Sequence, residues 1–118
     1  MNQNLLLNCD NQKIGVVRNP YERAVTEYFY DLNYIGFDRW LTKHSPTLQT
    51  TLYHKCDYIV SFEDWKNELS NLDLHPKDTS ILEGVKPIAD WRKWYTIKSK
   101  TLVTKLYWDD IKTFGYRY

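Results

Sequence analysis

Of the 118 residues, Arg18 and Thr26 are the pair whose types and placement best suit chemistry. An arginine presents a planar fork of donors that matches phosphate or sulfate oxygens, and a threonine adds a hydroxyl. Arg18 follows Lys13-Ile14-Gly15-Val16-Val17, which reads as a short, β-branched, buried strand. It precedes Asn19-Pro20-Tyr21-Glu22, a helix start in which Asn19 caps, Pro20 takes the first helical position and Glu22 completes a capping box. An arginine delivered by a strand to a helix N-terminus meets unpaired amides and the positive end of the helix dipole, where an anion is favoured. Along the helix, Tyr21, Ala24, Val25, Tyr28, Phe29 and Leu32 recur at helical spacing as one buried stripe. Thr26 falls roughly 130° from the stripe's centre, and helical side chains lean toward the N-terminus, so its hydroxyl is expected to point toward whatever Arg18 holds. The structural alternative is that Arg18 pairs with a core carboxylate and Thr26 is a solvated helix residue.

Other elements must hold this turn in place. Residues 1–12 are polar apart from Leu5, Leu6 and Leu7 and end in the loop-like Asn8-Cys9-Asp10-Asn11-Gln12. Phe37, Trp40 and Leu41 suggest a short helix that Ser45-Pro46 breaks. Tyr58-Ile59-Val60-Ser61-Phe62 reads as a second strand, followed by a helix carrying Trp65, Leu69 and Leu72 with Ser61 and Asp64 as capping residues. Asn71 to Thr79 is a polar loop, and Pro87 is expected to open a helix with Ile88, Trp91, Trp94 and Tyr95 on its inner side. Thr96 caps one last long helix with Leu102, Val103, Leu106 and Tyr107 buried and Gly115 beyond its end. The chain is thus mostly α-helical with about two short strands.

Composition narrows the classes. The net charge of +1 argues against the broad basic surface of a nucleic-acid binder, so anion recognition must be local. Five Trp, ten Tyr and four Phe indicate a packed aromatic core and exclude a disordered segment. Cys9 and Cys56 have no zinc or disulfide spacing, and nothing beside Cys56 activates it as a nucleophile. His44, His54 and His75 share no spacing with carboxylates or cysteines, so they read as surface or capping residues and no metal site is expected. No apolar run approaches the roughly 18 residues of a membrane helix, and with no targeting segment in view the expected compartment is cytoplasmic.

The stretch Val16-Val17-Arg18-Asn19-Pro20-Tyr21-Glu22-Arg23-Ala24-Val25-Thr26-Glu27-Tyr28 resembles the 3′-phosphate-binding segment of sulfotransferases, especially the carbohydrate-type group with its pattern V-R-[DN]-P-[YF]-[ED]-R-x-x-S-x-Y. Thr26 follows Arg18 by eight residues, as the family's serine follows its arginine, with the hydroxyl kept. Tyr107, Asp110, Phe114, Gly115 and Tyr116 resemble the family's terminal Y-x-x-D-x-x-x-F-G-Y. Between them, Pro46 with Gln49, then Asp57-Tyr58-Ile59-Val60-Ser61-Phe62-Glu63 and Trp91-Arg92-Lys93-Trp94-Tyr95-Thr96 are similar to the middle of the domain, in the same order.

The resemblance implies an α/β fold of the P-loop-type sulfotransferase class, present in part: an N-terminal segment over 1–12, for which poor order is an open expectation, and the C-terminal part of a domain over 13–118. It implies 3′-phosphoadenosine 5′-phosphosulfate as donor co-substrate, its 3′-phosphate held by Arg18 and Thr26, and transfer of the sulfuryl group to an acceptor hydroxyl, of a carbohydrate, in the complete enzyme. The family's phosphosulfate loop has no counterpart here, since none of Gly15, Gly36, Gly84 and Gly115 is followed by Lys-Ser or Lys-Thr. The isolated chain is therefore expected to be inactive, with no catalytic residue of its own. Its expected partners are the nucleotide donor or the 3′,5′-bisphosphate product and a missing N-terminal half or a second copy, the latter through the Lys13–Val17 strand or the apolar face beside it; neither nucleic acid nor membrane is expected. The alternatives are a non-catalytic anion- or protein-binding half-domain and an unrelated helical interaction module.

Overall fold

The computed structural model describes residues 5–31 and 35–118. Leu32, the last residue of the expected helical stripe, lies outside them. About half of the described residues are helical, and three strands form one sheet. The chain divides into two compact units: a sheet unit of residues up to Arg18 together with Thr51–Lys86, and a helical unit of Asn19–Thr50 with Pro87–Tyr118.

In the sheet unit, β1 (Leu6–Cys9), β2 (Gln12–Val17) and β3 (Tyr58–Ser61) lie in the order β1-β2-β3. β1 pairs antiparallel with β2 from Leu6↔Gly15 to Cys9↔Gln12, which leaves Asp10-Asn11 as a two-residue hairpin loop. Asp10 takes a φ of 56°, the left-handed conformation such tight loops demand. β2 pairs parallel with β3 from Ile14↔Tyr58 to Val17↔Ser61. A parallel pair needs a long crossover, and here it runs through residues 18–57. Lys13 and Asp57 extend the ladder, with the Lys13 amide donating to the Asp57 carboxylate at 2.8 Å and the Asp57 amide donating to the Lys13 carbonyl at 2.9 Å.

Two corrections follow. The loop-like reading of residues 8–12 is replaced by a hairpin, and a third strand joins the two expected. The Lys13–Val17 strand has no free edge for self-association, because it is the centre of the sheet.

Beneath the sheet lie Leu5, Leu7, Ile14, Val16, Val60, Leu69, Leu74 and Leu82, all buried. Leu69 comes from α4 (Trp65–Asn71) and Leu82 from the single turn α5 (Ser80–Glu83). Asp64 stands at the N-cap of α4 but makes no capping bond. Ser61 instead spends its amide, at 3.2 Å, and its hydroxyl on the Glu68 carboxylate. Gly15 is required by close approach: a Cβ there would stand 2.7 Å from Cγ of Tyr53. The Tyr53 hydroxyl in turn accepts from the Leu5 amide at 3.0 Å.

The helical unit contains α1 (Pro20–Tyr30), α2 (Phe37–Lys43), the start of α3 (Gln49–Leu52), a 3₁₀ turn at Trp91–Trp94, α6 (Ile97–Leu106) and α7 (Trp108–Phe114). α1 begins as expected, with Pro20 at the first position and the Asn19 side chain accepting from the Tyr21 amide at 2.9 Å. It packs against α2, α6 and the 3₁₀ turn, so every residue from Pro20 to Thr26 is buried. Thr96 caps α6 through a capping box completed by Ser99. The single last helix is in fact two, interrupted at Tyr107, and Gly115 ends the second at φ 72°. Pro87 opens no α-helix. Only four residues, Trp91–Trp94, separate Asp90 from the extended Tyr95 that leads into the Thr96 cap, and they close as a 3₁₀ turn.

Candidate functional site

Arg18 is the last residue of the sheet unit, one past β2, and is 2% exposed. Within that unit its guanidinium carbon lies 4.9 Å from the centroid of the Phe62 ring, in cation–π range. Thr26 belongs to the helical unit, in the second turn of α1. The amphipathic reading sets Thr26 outside the buried stripe, whereas it is 5% exposed, because α1 is covered on all sides over its first two turns. Its hydroxyl donates to the Glu22 carbonyl at 3.1 Å, the usual local partner of a buried helical threonine.

The helical unit also holds a polar cluster that the spacing of its members in the sequence does not announce. Arg23, on α1 and 2% exposed, lies with Nε 3.2 Å from Oε1 of Glu27, one turn further along. Its Nη1 is 3.9 Å from Oδ2 of Asp110 on α7, a carboxylate with no exposed surface. That carboxylate accepts from the amides of Gln49 and Thr50, at 2.8 and 2.9 Å, and so caps α3. The other Glu27 oxygen meets Nε2 of His44 at 3.0 Å, and the Tyr107 hydroxyl is 3.1 Å from the same nitrogen. His44 lies flat on Trp40, ring centroids 4.1 Å apart, and the Trp40 indole donates to Asp31 at 2.6 Å.

Burial raises the Tyr107 phenol well above its ordinary pKa, with the Glu27 carboxylate adding to the effect and the Arg23 charge opposing it. The phenol is therefore a neutral hydrogen-bonding group at physiological pH. The cluster has two carboxylates around one buried guanidinium and a histidine facing one of them. The carboxylates and His44 are engaged within the cluster, Arg23 is held there by charge with its Nε and Nη1 making no hydrogen bond, and the role is positional: it ties α1, α2, α3 and α7 together.

His44 stands at the C-cap of α2, its amide donating to the Leu41 carbonyl at 3.2 Å, and its ring is turned into the cluster. The one local sign of the cluster is the Arg23–Glu27 pair at i,i+4. The Cys56 thiol is pushed up by burial and by Asp57, with Lys13 pulling the other way, which favours the thiol over the thiolate. Among the described residues no group of three or more His, Cys, Asp or Glu is placed to hold a metal ion, and no helix is long and apolar enough to cross a membrane. No family model matches the chain, and no match to it was found among curated proteins or solved structures.

Proposed function

We propose that this chain is the donor-binding part of a sulfotransferase-like domain. Arg18 and the N-terminal turn of α1, with Thr26, take the 3′-phosphate of 3′-phosphoadenosine 5′-phosphosulfate or of its bisphosphate product. Sulfuryl transfer to a carbohydrate hydroxyl belongs to the complete domain, whose phosphosulfate loop has no counterpart in the 118 residues. The observation that carries this reading is the convergence of three separate stretches of resemblance on one buried cluster. Arg23 comes from the first motif, Gln49 from the middle one, and Tyr107 and Asp110 from the last, with Asp110 touching both Arg23 and the Gln49 amide. The local build agrees with the role: a buried strand, an arginine, then a capped helix with proline at its first position. Thr26 would give up its bond to the Glu22 carbonyl to serve a phosphate oxygen.

Calorimetry on the full chain with adenosine 3′,5′-bisphosphate and with adenosine 5′-monophosphate tests the reading, because the two ligands differ only in the 3′-phosphate. The bisphosphate is expected to bind more tightly by ~1.5–3 kcal/mol, the worth of hydrogen bonds to a charged group. Arg18→Lys, which keeps the charge and loses the fork, should remove most of that preference. Equal affinities, or no heat with millimolar bisphosphate, would overturn it.

A further inference from the structure

β1 ends the sheet on one side, with β2 as its neighbour. The bond from the Val16 amide to the Leu5 carbonyl, 2.9 Å, fixes which way its backbone groups face. Leu5 stands opposite Val16 in the register that sets Leu6 against Gly15, so the alternation turns the amides and carbonyls of Leu7 and Cys9 toward β2 and those of Leu6 and Asn8 away from it. Among the described residues nothing bonds these outward groups. Beside them lies an open trench of about 570 Å³, lined by β1 and by residues between His75 and Ile81. That second segment is bracketed by Leu74 and Leu82, both buried beneath the sheet, so it underlies the trench and leaves the plane of the strands open. A sheet edge is ordinarily blunted by a charge, a proline or a bulge, and the Leu-Leu-Asn-Cys of β1 has none of these.

We propose that this edge pairs antiparallel with the same edge of a second copy of the chain, so that the two sheets run on as one. Unpaired backbone groups at every second residue call for another strand, and register selects which. A twofold axis sets two identical strands antiparallel. Outward residues bond only to outward residues, so the possible registers differ by steps of two. One of them, Leu6 against Asn8 of the second copy with Leu7 against Leu7, uses both outward residues of each strand, and each Leu6 and Asn8 pair exchanges its amides and carbonyls. On the buried side the same register sets Leu7 beside Leu7 and the half-buried Cys9 beside Leu5, apolar against apolar, in line with the aliphatic cluster beneath each sheet. An unrelated strand is offered the same backbone groups, but only a second copy matches this row by construction. The contact lies within the sheet unit, uses neither Arg18 nor Thr26, and is independent of the proposed donor site. So short a seam makes a small interface and hence a weak dimer.

Sedimentation velocity of the full chain from ~10 μM to ~1 mM, with a reductant to keep Cys9 and Cys56 as thiols, should show a monomer passing into a dimer. Asn8→Pro removes an outward amide that β2 does not use, and proline is tolerated in an edge strand at such a position. It should weaken dimerisation at least ~10-fold, whereas Asn8→Ala, which keeps the amide, should leave it unchanged. Hydrogen exchange of the unmutated chain, followed residue by residue, reads the same contact without a variant: the Leu6 and Asn8 amides should be protected at ~1 mM and open at ~10 μM. A chain still monomeric at ~1 mM, a dimer that Asn8→Pro leaves intact, equal weakening by Asn8→Pro and Asn8→Ala, or outward amides whose exchange ignores concentration overturns the proposal. A monomer whose Leu6 and Asn8 amides become protected on adding a peptide of alternating Val and Thr would assign the edge to a foreign strand and overturn it equally.

Discussion

The two units solve the same burial problem with different residues. The helical unit is built on rings: Tyr21, Phe37, Trp40, Trp91 and Tyr107 dominate its buried cluster, and Tyr21, Trp91, Tyr95 and Tyr118 all contact one another with centroids 5.3 to 6.3 Å apart. The buried cluster of the sheet unit is entirely aliphatic. Tyrosine and tryptophan bring a polar handle into the interior with their area, so the helical unit can satisfy buried charges through side chains. In the sheet unit the strands pair their own backbone groups and, Tyr53 and Arg18 apart, the buried side chains contribute volume. Charge should therefore be the weak point of one unit and volume that of the other.

The largest effect expected is on the charged side. Asp110→Ala leaves the Arg23 guanidinium buried with one carboxylate fewer and orphans the Gln49 and Thr50 amides, so it should cost about 3–5 kcal/mol, the usual price of breaking a buried pair. Denaturant unfolding measures it, and a loss below about 1 kcal/mol would mean that the cluster behaves as an exposed pair. The matching change in the sheet unit is Gly15→Ala. Its new Cβ meets Cγ and Cδ1 of Tyr53 at 2.7 and 2.9 Å, at the rooted end of the ring where rotation gives little relief. Overpacking of this kind costs about 1–3 kcal/mol. If Gly15→Ala costs little in a Tyr53→Ala background, volume is confirmed as the cause.

Alkaline titration separates the units without mutation. Burial raises the phenols of Tyr95 and Tyr107 in the folded helical unit, with neighbouring phenols adding for Tyr95 and Glu27 for Tyr107. Above pH ~10 the unfolded chain loses these protons while the folded chain keeps them, so the folded state is disfavoured by about 1.4 kcal/mol per pH unit for each phenol. The stabilisation is complete below pH ~10 and is lost as pH rises beyond it. Tyr95→Phe and Tyr107→Phe should each flatten the alkaline limb of a stability profile followed by circular dichroism. A profile unchanged by either variant would show that these phenols titrate normally.

What could be read in the sequence follows from how local each signal is. The Asn19-Pro20 cap, the Thr96 cap and the Gly115 stop involve neighbours in the chain and are found where expected. β1 was missed because its four residues, Leu-Leu-Asn-Cys, hold too short an alternation, and its hairpin loop Asp10-Asn11 lacks the glycine that usually marks one. The helix expected from Pro87 failed because apolar spacing in a stretch rich in rings also suits a 3₁₀ turn packed on Tyr21, to which the Tyr95 hydroxyl donates at the backbone carbonyl, 2.6 Å away. The Arg23 cluster was illegible for a further reason. Its contacts join His44 to a tyrosine 63 positions on and Gln49 to an aspartate 61 positions on, and no window of the sequence spans them. Arg18 and Thr26 were singled out by motif, but their burial depends on packing that the motif does not encode.

The smallest effect sharpens the comparison most, because it makes the same deletion in both units. Tyr53→Phe removes the acceptor of the Leu5 amide, a backbone donor whose partner in this structure is that hydroxyl. It should cost about 1 kcal/mol, the net worth of one hydrogen bond. Tyr107→Phe removes a hydroxyl that shares Nε2 of His44 with Glu27, and the histidine and the carboxylate remain 3.0 Å apart without it. At neutral pH its cost should be smaller still, since the cluster closes over the gap with its own charges. If Tyr107→Phe is instead the more damaging of the two by chemical denaturation, the Glu27–His44 contact depends on the phenol. The helical unit would then rely on its rings to hold its charges as well as to fill its core.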